Sequence, residues 1–494
     1  MNTNFSTRMR MSFIPAIASL FFSGVNAQDN AVEVQALTST VESHLSAMVA
    51  GQKDASRFPR SIKEDGSLHT VKSSDWTSGF FPGTLWYTYE LTKDERWKEL
   101  AAKWSKELEK EKLNKTTHDL GFMLYCPFGN GYRLTNDPAY KDILLQGAAS
   151  LSSRYHAKTK TIRSWDKPGY QFPVIIDNMM NLELLFWATQ VSGDSSYYKI
   201  AVAHADQTMK NHFRKDNSSY HVVDYDTITG QPVRKITHQG FSDESAWARG
   251  QAWGLYGYTV AYRFTHAKRY LQMAEKIASF YLNHPKLPKD KVPYWDFNAP
   301  VTSATPRDAS AAAIVSAALL ELADYSTANK KRYQDAAGMM LKSLSSPAYL
   351  AELGTNQHFI LKHSTGHLPH KSEIDVPINY ADYYFVEALL RYKKVTEKLS
   401  ASVENPTSKT STSNPANKTS ADVIVYTANP GGIMSAIAAA REGASVLLIE
   451  PSAHIGGIVA QGGLCVTDIG NHTTIGGLSK EFMKRPDAGP VGQL

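Results

Sequence analysis

The sequence is poor in cysteine, has no long apolar run beyond its first residues and carries no strong excess of either charge. Of its 494 residues only Cys126 and Cys465 are cysteines, too few for a disulfide framework. The 53 basic and 47 acidic residues leave a net charge of +6 without a basic tract, which argues against a nucleic-acid partner. With 42% hydrophobic and 20% charged residues, the composition is that of a folded globular protein.

Motifs that mark several common catalytic classes are missing as well. The chain has no H-E-x-x-H pattern, no Cys/His cluster with zinc spacing and no G-x-S-x-G nucleophile elbow. We therefore expect neither a metal ion nor a cofactor. The chain is rich in aromatic side chains, with 9 Trp, 25 Tyr and 19 Phe, a supply that is common in proteins that bind sugars.

The N-terminus has the layout of an export signal. Arg8 and Arg10 precede the apolar stretch 11–24, which is too short to span a bilayer, and small or compact residues follow at 25–27. We expect residues 1–27 to be a signal peptide cleaved after Ala27, and the mature protein to be periplasmic or secreted. No later stretch has the length of a transmembrane helix, so no membrane partner is expected.

Residues 28–400 have a helical rhythm, and strand candidates are few and short. Helices come in consecutive pairs separated by loops rich in Gly, Pro, Asp and Ser. This pattern predicts an all-α domain of about six helical hairpins closed into an (α/α)6 barrel. A helical solenoid is the alternative, but no fixed-period repeat is visible. The predicted helices are 32–48, 83–91, 95–113, 139–157, 178–191, 197–211, 250–264, 268–282, 309–325, 331–343 and 383–395.

The helical rhythm stops at residue 401. Residues 401–420 are dominated by Ser, Thr, Asn, Lys and Pro, a composition that predicts a flexible linker. Residues 421–494 then read as strand, turn, Ala-rich helix, strand and terminal acid, the layout of a dinucleotide-binding unit. The fragment has about 74 residues where such a domain normally has well over 100, so we expect a truncated, Rossmann-like α/β fragment.

Two carboxylates in loops before predicted helices are the best candidates for chemistry. Asp177 ends an apolar run, and Asp119 lies in the loop T-H-D-L-G-F. Either could simply cap a helix or a loop. If both reach one cavity, burial and mutual repulsion raise the pKa of one of them enough to make it an acid that works near neutral pH.

Other polar and aromatic residues in these loops are candidates for binding a substrate. His118 and His221 could be ligands or catalytic groups, or buried structural histidines. Arg249 suits a carboxylate or sulfate, which it could hold by two hydrogen bonds, or else forms a salt bridge to a loop acid such as Asp243 or Glu244. Possible platforms for sugar stacking, or alternatively core aromatics, are Trp76, Trp165 and Trp247.

The loops together resemble glycoside hydrolase family 88, the unsaturated glucuronyl hydrolases. The matching blocks, in chain order, are WTSGFFPGTLW, THDLGF, IIDNMMNLELLFWA, ESAWARGQAWGLYGYT and ADYYFVEALLRY. The resemblance implies an (α/α)6 barrel whose substrate is an oligosaccharide released by a polysaccharide lyase. Such a substrate ends in a 4,5-unsaturated uronic acid, and the enzyme hydrates its vinyl ether instead of attacking the anomeric carbon.

The resemblance also assigns roles. It implies that Asp177 is the acid and base and that Asp119 is the assisting carboxylate. Substrate-binding residues would be His118, His221, Gln239, Arg249, Trp76, Trp165, Trp247 and Tyr383. The stretch 379–384 departs from the pattern W-G-D-Y-Y that relatives often show, so the shape of the pocket there is open.

The C-terminal fragment resembles the start of an FAD-dependent oxidoreductase family. Members usually read Y-G-G-T-P-x-G where this chain has Y-T-A-N-P-G-G, so only Gly432 and the ribose-binding acid Glu450 remain of the fingerprint. Glycine permits a tight turn that Thr427 would crowd. We expect a remnant that binds no FAD.

Three functions remain open from the sequence. The favoured one is hydrolysis of unsaturated glucuronyl oligosaccharides. The alternatives are an unsaturated rhamnogalacturonyl hydrolase and a non-catalytic carbohydrate-binding barrel. The sugar that follows the uronate, the tolerance of sulfate and the oligomeric state are left open.

Overall fold

The structure is a computed structural model, and it describes residues 32–404, 421–426 and 430–449. The chain divides into two compact units, Met1–Ser402 and Val403–Leu494. The predicted signal peptide and its cleavage point, most of the predicted linker, Cys465 and Glu450 lie outside the described residues. In the described ranges no helix combines the length and the apolar character needed to cross a membrane.

Twelve α-helices of the first unit follow one another in the described residues. They are α1 (Val34–Gly51), α2 (Phe80–Thr92), α3 (Glu95–Lys106), α4 (Asn130–Thr135), α5 (Pro138–Ser152), α6 (Leu182–Ser192), α7 (Ser195–Asn211), α8 (Ala248–Thr265), α9 (Lys268–Asn283), α10 (Ala309–Tyr325), α11 (Lys330–Leu344) and α12 (Asn379–Glu404). A π-helix (Gly121–Gly129) runs directly into α4, and a 3-10 helix (Ile176–Asn181) runs directly into α6.

The helices alternate between buried and half-buried along the chain. α8 buries 14 of its 18 residues and α10 buries 14 of 17, whereas α9 buries only 6 of 16, in one stripe. A helix that is buried all round lies inside its domain, and a helix with one apolar stripe covers it. The even-numbered helices therefore form the inner wall of a helical barrel, with the buried π-helix taking this place ahead of the short α4, and the odd-numbered helices form its outer layer.

Aspartates fix where several helices begin. Asp94, Asp137 and Asp194 each accept a hydrogen bond from a backbone N–H in the first turn of α3, α5 and α7. Asp308 does the same for the inner helix α10. Such caps accept hydrogen bonds from backbone N–H groups that have no partner within the helix. These helices therefore begin directly after an Asp residue of the preceding loop.

Short strands connect the helices. Antiparallel pairs join β1 (Phe58–Ile62) to β2 (Leu68–Val71), β3 (Tyr155–His156) to β4 (Thr161–Ile162), and β8 (Ser364–His367) to β9 (Ser372–Val376). A three-stranded sheet has the order β5 (Pro173–Ile175), β6 (Val222–Tyr225) and β7 (Pro232–Ile236). β5 leads directly into the 3-10 helix that contains Asp177.

Several boundaries differ from the sequence prediction, among them the following three. The loop expected around Thr117–Phe122 turns at Gly121 into the π-helix, where Asn181 Oδ1 accepts a hydrogen bond from Phe122 N at 3.0 Å. α5 ends at Ser152, five residues early, because β3 begins at Tyr155. α12 continues to Glu404, so the first four residues of the predicted linker are helical.

The described part of the second unit is a single β-α-β segment. β10 (Val423–Tyr426) pairs in parallel with β11 (Val446–Ile449), and α13 (Pro430–Arg441) connects them. Gly432 lies in the first turn of α13.

Candidate active site

The N-terminal ends of the inner helices meet on one side of the barrel. Trp76 lies just before α2, Asp119 just before the π-helix and Asp177 in the 3-10 helix before α6. Arg249 lies in the first turn of α8 and Tyr380 in the first turn of α12. Because a helix N-terminus has a partial positive charge, this arrangement favours an anionic ligand.

A cleft of about 210 Å³ lies among these ends. It holds five of the predicted site residues, Asp119, Asp177, Trp76, Trp165 and Gln239. The cleft is completed by Arg60, Lys167, Ile175, His238, Gly366, His367, Ser372, Glu373 and Tyr380. Its walls are thus polar and aromatic, and the two predicted carboxylates face the same space.

Asp177 has a strongly raised pKa. Only 6% of it is exposed, and burial raises the pKa of its carboxyl to about 7; the nearby charge of Arg249 lowers this pKa and that of Asp119 raises it further. Among the described residues no group donates a hydrogen bond to its Oδ2. The Asp177 carboxyl therefore exists in both protonation states near neutral pH. It lies in the first turn of its helix but is not the N-cap.

Asp119 is held in place from its own loop. Thr117 Oγ1 donates a hydrogen bond to Asp119 Oδ2 at 2.9 Å, and Asp119 N donates one to Thr117 Oγ1 at 3.1 Å. The fully buried His118 places its Nε2 3.3 Å from Asp119 Oδ1. His118 does not line the cleft, and its contact is with the carboxylate.

His221 lies behind Asp177 in a defined tautomer. Its Nδ1 accepts hydrogen bonds from the backbone N–H groups of His238 and Gln239, both at 3.1 Å. Its proton is therefore on Nε2, which lies 3.7 Å from Asp177 Oδ2. Burial lowers the pKa of His221 well below its usual value, so the ring is neutral. His221 presents an N–H to the carboxylate, and it lies one layer below the cleft surface.

Arg249 does not reach the cleft. It is 1% exposed, and its Nη1 donates a hydrogen bond to Asp308 Oδ2 at 2.8 Å while its Nη2 donates one to Gly366 O at 2.6 Å. The salt-bridge alternative is thus the observed one, with Asp308 as partner in place of Asp243 or Glu244. Trp247 is also buried beneath the cleft, and its ring packs against His221 and under the Arg249 guanidinium.

The other two predicted tryptophans are at the cleft surface. Trp76 packs against Tyr380 with ring centroids 5.2 Å apart. Trp165 packs beside His238 with ring centroids 5.0 Å apart, and the Lys167 ammonium lies 4.4 Å from the centroid of its ring. These rings form the aromatic walls that a sugar can contact.

Tyr383 lies elsewhere. It is one turn deeper in α12 than Tyr380, where its hydroxyl donates a hydrogen bond to Tyr87 Oη at 3.3 Å, and it lines a second cavity of about 400 Å³. This larger cavity lies at the C-terminal ends of the inner helices, and much of its charge is paired internally, as between Arg391 and Glu387. The smaller cleft holds both candidate carboxylates and is the better active site.

The cleft also contains charged residues that the sequence analysis did not select. Arg60 on β1 forms ion pairs with Asp75 at 2.9 Å and with Glu373 at 2.6 Å. Lys167 and His238 face each other with Nζ and Nε2 3.3 Å apart. Arg60 and Glu373 are separated by more than 300 residues, so no local pattern marks them as neighbours.

Comparison with known proteins places this geometry in a family. The model of Glycosyl Hydrolase Family 88 matches residues 52–394. The chain belongs to glycosyl hydrolase family 88. The barrel and its cleft are therefore those of a glycoside hydrolase, as the sequence blocks predict.

Relatives support the assignment in sequence and in structure. An unsaturated glucuronyl hydrolase of Formosa agariphila is 52% identical over 357 residues, which cover 72% of this chain and 89% of the relative. The crystal structure of an unsaturated glucuronyl hydrolase specific for heparin is 49% identical with a TM-score of 0.72, covering 74% and 98%. A variant of the Streptococcus agalactiae enzyme, complexed with dGlcA-GalNAc6S, is 30% identical with a TM-score of 0.64, covering 73% and 92%.

The C-terminal fragment has its own match. The model of the FAD dependent oxidoreductase family matches residues 422–493. This agrees with the resemblance seen in the sequence, and it covers a small part of the chain.

Proposed function

We propose that this protein is an unsaturated glucuronyl hydrolase, which removes the 4,5-unsaturated uronic acid from the non-reducing end of lyase-made oligosaccharides. The observation that carries the proposal is the buried Asp177 carboxyl, whose pKa lies at about 7 and which lines the cleft together with Asp119. Relatives named for the same activity support it, as does the polar and aromatic cleft.

The reaction begins with protonation of the double bond. Protonated Asp177 donates its proton to C4, and the positive charge that develops at C5 is shared with the ring oxygen. The Asp177 carboxylate then takes a proton from a water molecule, which adds to C5. The resulting hemiketal opens, and the remaining sugar leaves. One carboxyl thus serves as acid and then as base, for which a pKa near the working pH is best.

The surroundings of Asp177 fit each step. In the first step a negative carboxylate forms in a buried place, and the Nε2–H of His221 faces it at 3.7 Å. Asp119 stays beside it as a second acceptor that can orient the water. The positive charge at C5 is stabilised by these carboxylates, and the helix N-termini and Lys167 favour the carboxylate of the uronate.

The test is the ultraviolet absorbance of the conjugated C4=C5 bond in defined unsaturated disaccharides from heparin, chondroitin, hyaluronan, alginate and ulvan. We expect the absorbance to vanish as the uronate is released, and Asp177→Asn to stop the loss. Asp382→Asn is the matched control. Burial raises the pKa of Asp382 to about 7 as well, but its oxygens accept backbone N–H bonds and it does not line the cleft.

The outcomes separate the rival functions. Sugar affinity without any loss of absorbance indicates the carbohydrate-binding barrel. Turnover restricted to unsaturated galacturonyl-rhamnose indicates the rhamnogalacturonyl hydrolase. Equal activity of the Asp177→Asn and Asp382→Asn variants contradicts the role given to Asp177.

We also propose an architecture for the barrel, a location for the protein and a state for its C-terminal segment. The inner and outer helices form six hairpins that close into an (α/α)6 barrel, as the alternation of burial supports. The N-terminal segment directs export to the periplasm or the medium, where lyases release such oligosaccharides. The C-terminal segment is a Rossmann-like remnant without bound FAD, since Thr427 stands where the phosphate-binding turn needs glycine.

A further inference from the structure

Three imidazole rings meet at the edge of the cleft. The ligand nitrogens of His238, His367 and His370 all lie within 4.8 Å of one another. The rings of His367 and His370 are stacked, with centroids 4.0 Å apart, and the His238 ring stands nearly perpendicular to both. His238 follows β7, whereas His367 ends β8 and His370 ends the adjoining 3-10 helix, so the fold brings the two loops together.

The two loops are fastened to each other by hydrogen bonds next to these rings. Gln239, the neighbour of His238, donates a hydrogen bond from Nε2 to the carbonyl of Gly366 at 3.1 Å, and Gly366 is the neighbour of His367. Arg249 Nη2 donates to the same carbonyl at 2.6 Å. The N–H of His238 is itself bonded to His221. The imidazoles are thus held by a supporting shell, as a metal site requires.

Several of the ring nitrogens are poorly satisfied. Within the described residues the buried Nε2 of His367 has no hydrogen-bond partner, and its Nδ1 receives only a long bond of 3.3 Å from His370 N. Nε2 of His238 has the Lys167 ammonium 3.3 Å away. A buried polar atom without a partner costs free energy. In the tautomer of His367 that carries its proton on Nδ1, Nε2 has a lone pair for an ion, and binding the ion removes this cost at the expense of the long bond from His370 N.

We propose that His238, His367 and His370 form a site for a borderline divalent ion such as Zn²⁺. Three imidazoles leave a fourth position for water, and they prefer Zn²⁺, Cu²⁺ or Ni²⁺ to the harder Mg²⁺ and Ca²⁺. Ligand nitrogens in a tetrahedral zinc site lie about 3.3 Å apart, so ring movements of roughly 1 Å complete the coordination. Lys167 is the competing cation and moves away from His238 when the ion binds.

The position of the site gives the ion an effect on catalysis. His238 and His367 line the cleft that also contains Asp119 and Asp177, while His370 does not. An ion held there occupies space where the sugar enters, and it inhibits turnover. The inhibition rests on the proposed function; the binding of the ion does not.

The test measures Zn²⁺ binding to the full chain by competition with a zinc-sensitive dye, and then hydrolysis with and without Zn²⁺. His370→Asn removes one ligand outside the cleft. His363→Asn is the matched control, because His363 lies on the same hairpin and pairs with Asp375 at 2.6 Å outside the cluster. Lys167→Met removes the competing ammonium.

We expect one Zn²⁺ per chain, with affinity lowered about 100-fold or more by His370→Asn, unchanged by His363→Asn and raised by Lys167→Met. Hydrolysis by the His370→Asn variant should continue in Zn²⁺ concentrations that inhibit the unaltered protein. Absence of stoichiometric binding, or equal affinities of the His370→Asn and His363→Asn variants, overturns the site. If binding behaves as expected and no hydrolysis is seen with any substrate, the proposed function fails and the metal site stands.

Discussion

At the residue scale, the raised pKa that suits Asp177 for catalysis also lowers the stability of the folded protein. The pKa of Asp177 rises from an ordinary 3.8 to about 7 mainly because the carboxyl is buried. A buried carboxyl with a raised pKa leaves stability unaffected below about pH 4, where it is protonated in both the folded and the unfolded chain. Above pH 7 the charged form is penalised only in the folded state, so the free energy of unfolding falls between these limits.

Asp177→Asn should therefore abolish hydrolysis and stabilise the fold. The variant removes a penalty of up to about 4 kcal/mol at pH 8, and no penalty exists near pH 4. Denaturant midpoints of the variant and the unaltered protein at the two pH values measure the difference. A variant that is no more stable at pH 8 shows that the pKa of Asp177 is not raised.

His221 offers a second prediction at this scale. His221→Asn keeps an acceptor near the position of Nδ1 for the two backbone N–H groups but removes the Nε2–H that faces Asp177. We expect kcat to fall about 10-fold, because the carboxylate formed in the first step loses a donor, with a smaller change in KM. Steady-state kinetics on an unsaturated disaccharide measure both constants. Unchanged kcat would contradict the role of the Nε2–H.

Single residues also show which parts of the candidate site could be predicted from the sequence. Asp119 and Asp177 could be selected because Asp119 lies inside the loop block T-H-D-L-G-F and Asp177 ends an apolar run just before a predicted helix. Arg249 could not be assigned correctly, since its partner Asp308 lies 59 residues further along the chain. The three histidines escaped a search for zinc spacing because His238 lies far from the other two, although the short pattern His367-x-x-His370 was available as a signal.

At the scale of elements, the approach of α8 to the 3-10 helix sets the position of Asp177. A Cβ atom at Gly257 would lie 2.5 Å from Met179 Cβ and 3.0 Å from the Met179 carbonyl carbon. At Gly254, one turn earlier on α8, the nearest atom would be a Phe213 ring carbon at 3.4 Å. Close packing against the 3-10 helix therefore requires glycine at 257 but not at 254.

Gly257→Ala should consequently push the 3-10 helix away from α8. We expect a destabilisation of about 1–3 kcal/mol and a loss of kcat, because Asp177 moves with this helix. Gly254→Ala is the control and should change neither by much. Denaturation curves and kinetics of the two variants make the comparison, and similar behaviour of both would argue against this packing contact.

Element boundaries were predictable where a local signal marks them. α10 begins and ends where its apolar period and the cap Asp308 place it. The π-helix at Gly121–Gly129 was missed because an i to i+5 helix has no characteristic side-chain period, and because Pro127 reads as a helix breaker. The resemblance implies that Tyr383 lines the cleft, but α12 starts at Asn379, four residues before its predicted start, and the residue of α12 that lines the cleft is Tyr380 in the first turn.

At the scale of the whole molecule, all cleft residues belong to the first compact unit. The last of them in the chain is Tyr380, and the unit extends to Ser402. A protein that ends after Glu404 should therefore fold and hydrolyse with a kcat/KM within about twofold of the full chain. Parallel assays of the two proteins test this. A shortened protein that is folded but inactive would assign a role to the C-terminal segment.

The pH dependence of kcat/KM, followed through the loss of C4=C5 absorbance, tests the central claim most directly. If Asp177 must carry a proton before it meets the substrate, kcat/KM is constant on the acid side and falls about tenfold per pH unit above a pKa of about 7. A kcat/KM that already falls as the pH rises through about 4, or that stays constant up to pH 9, would contradict the role of protonated Asp177.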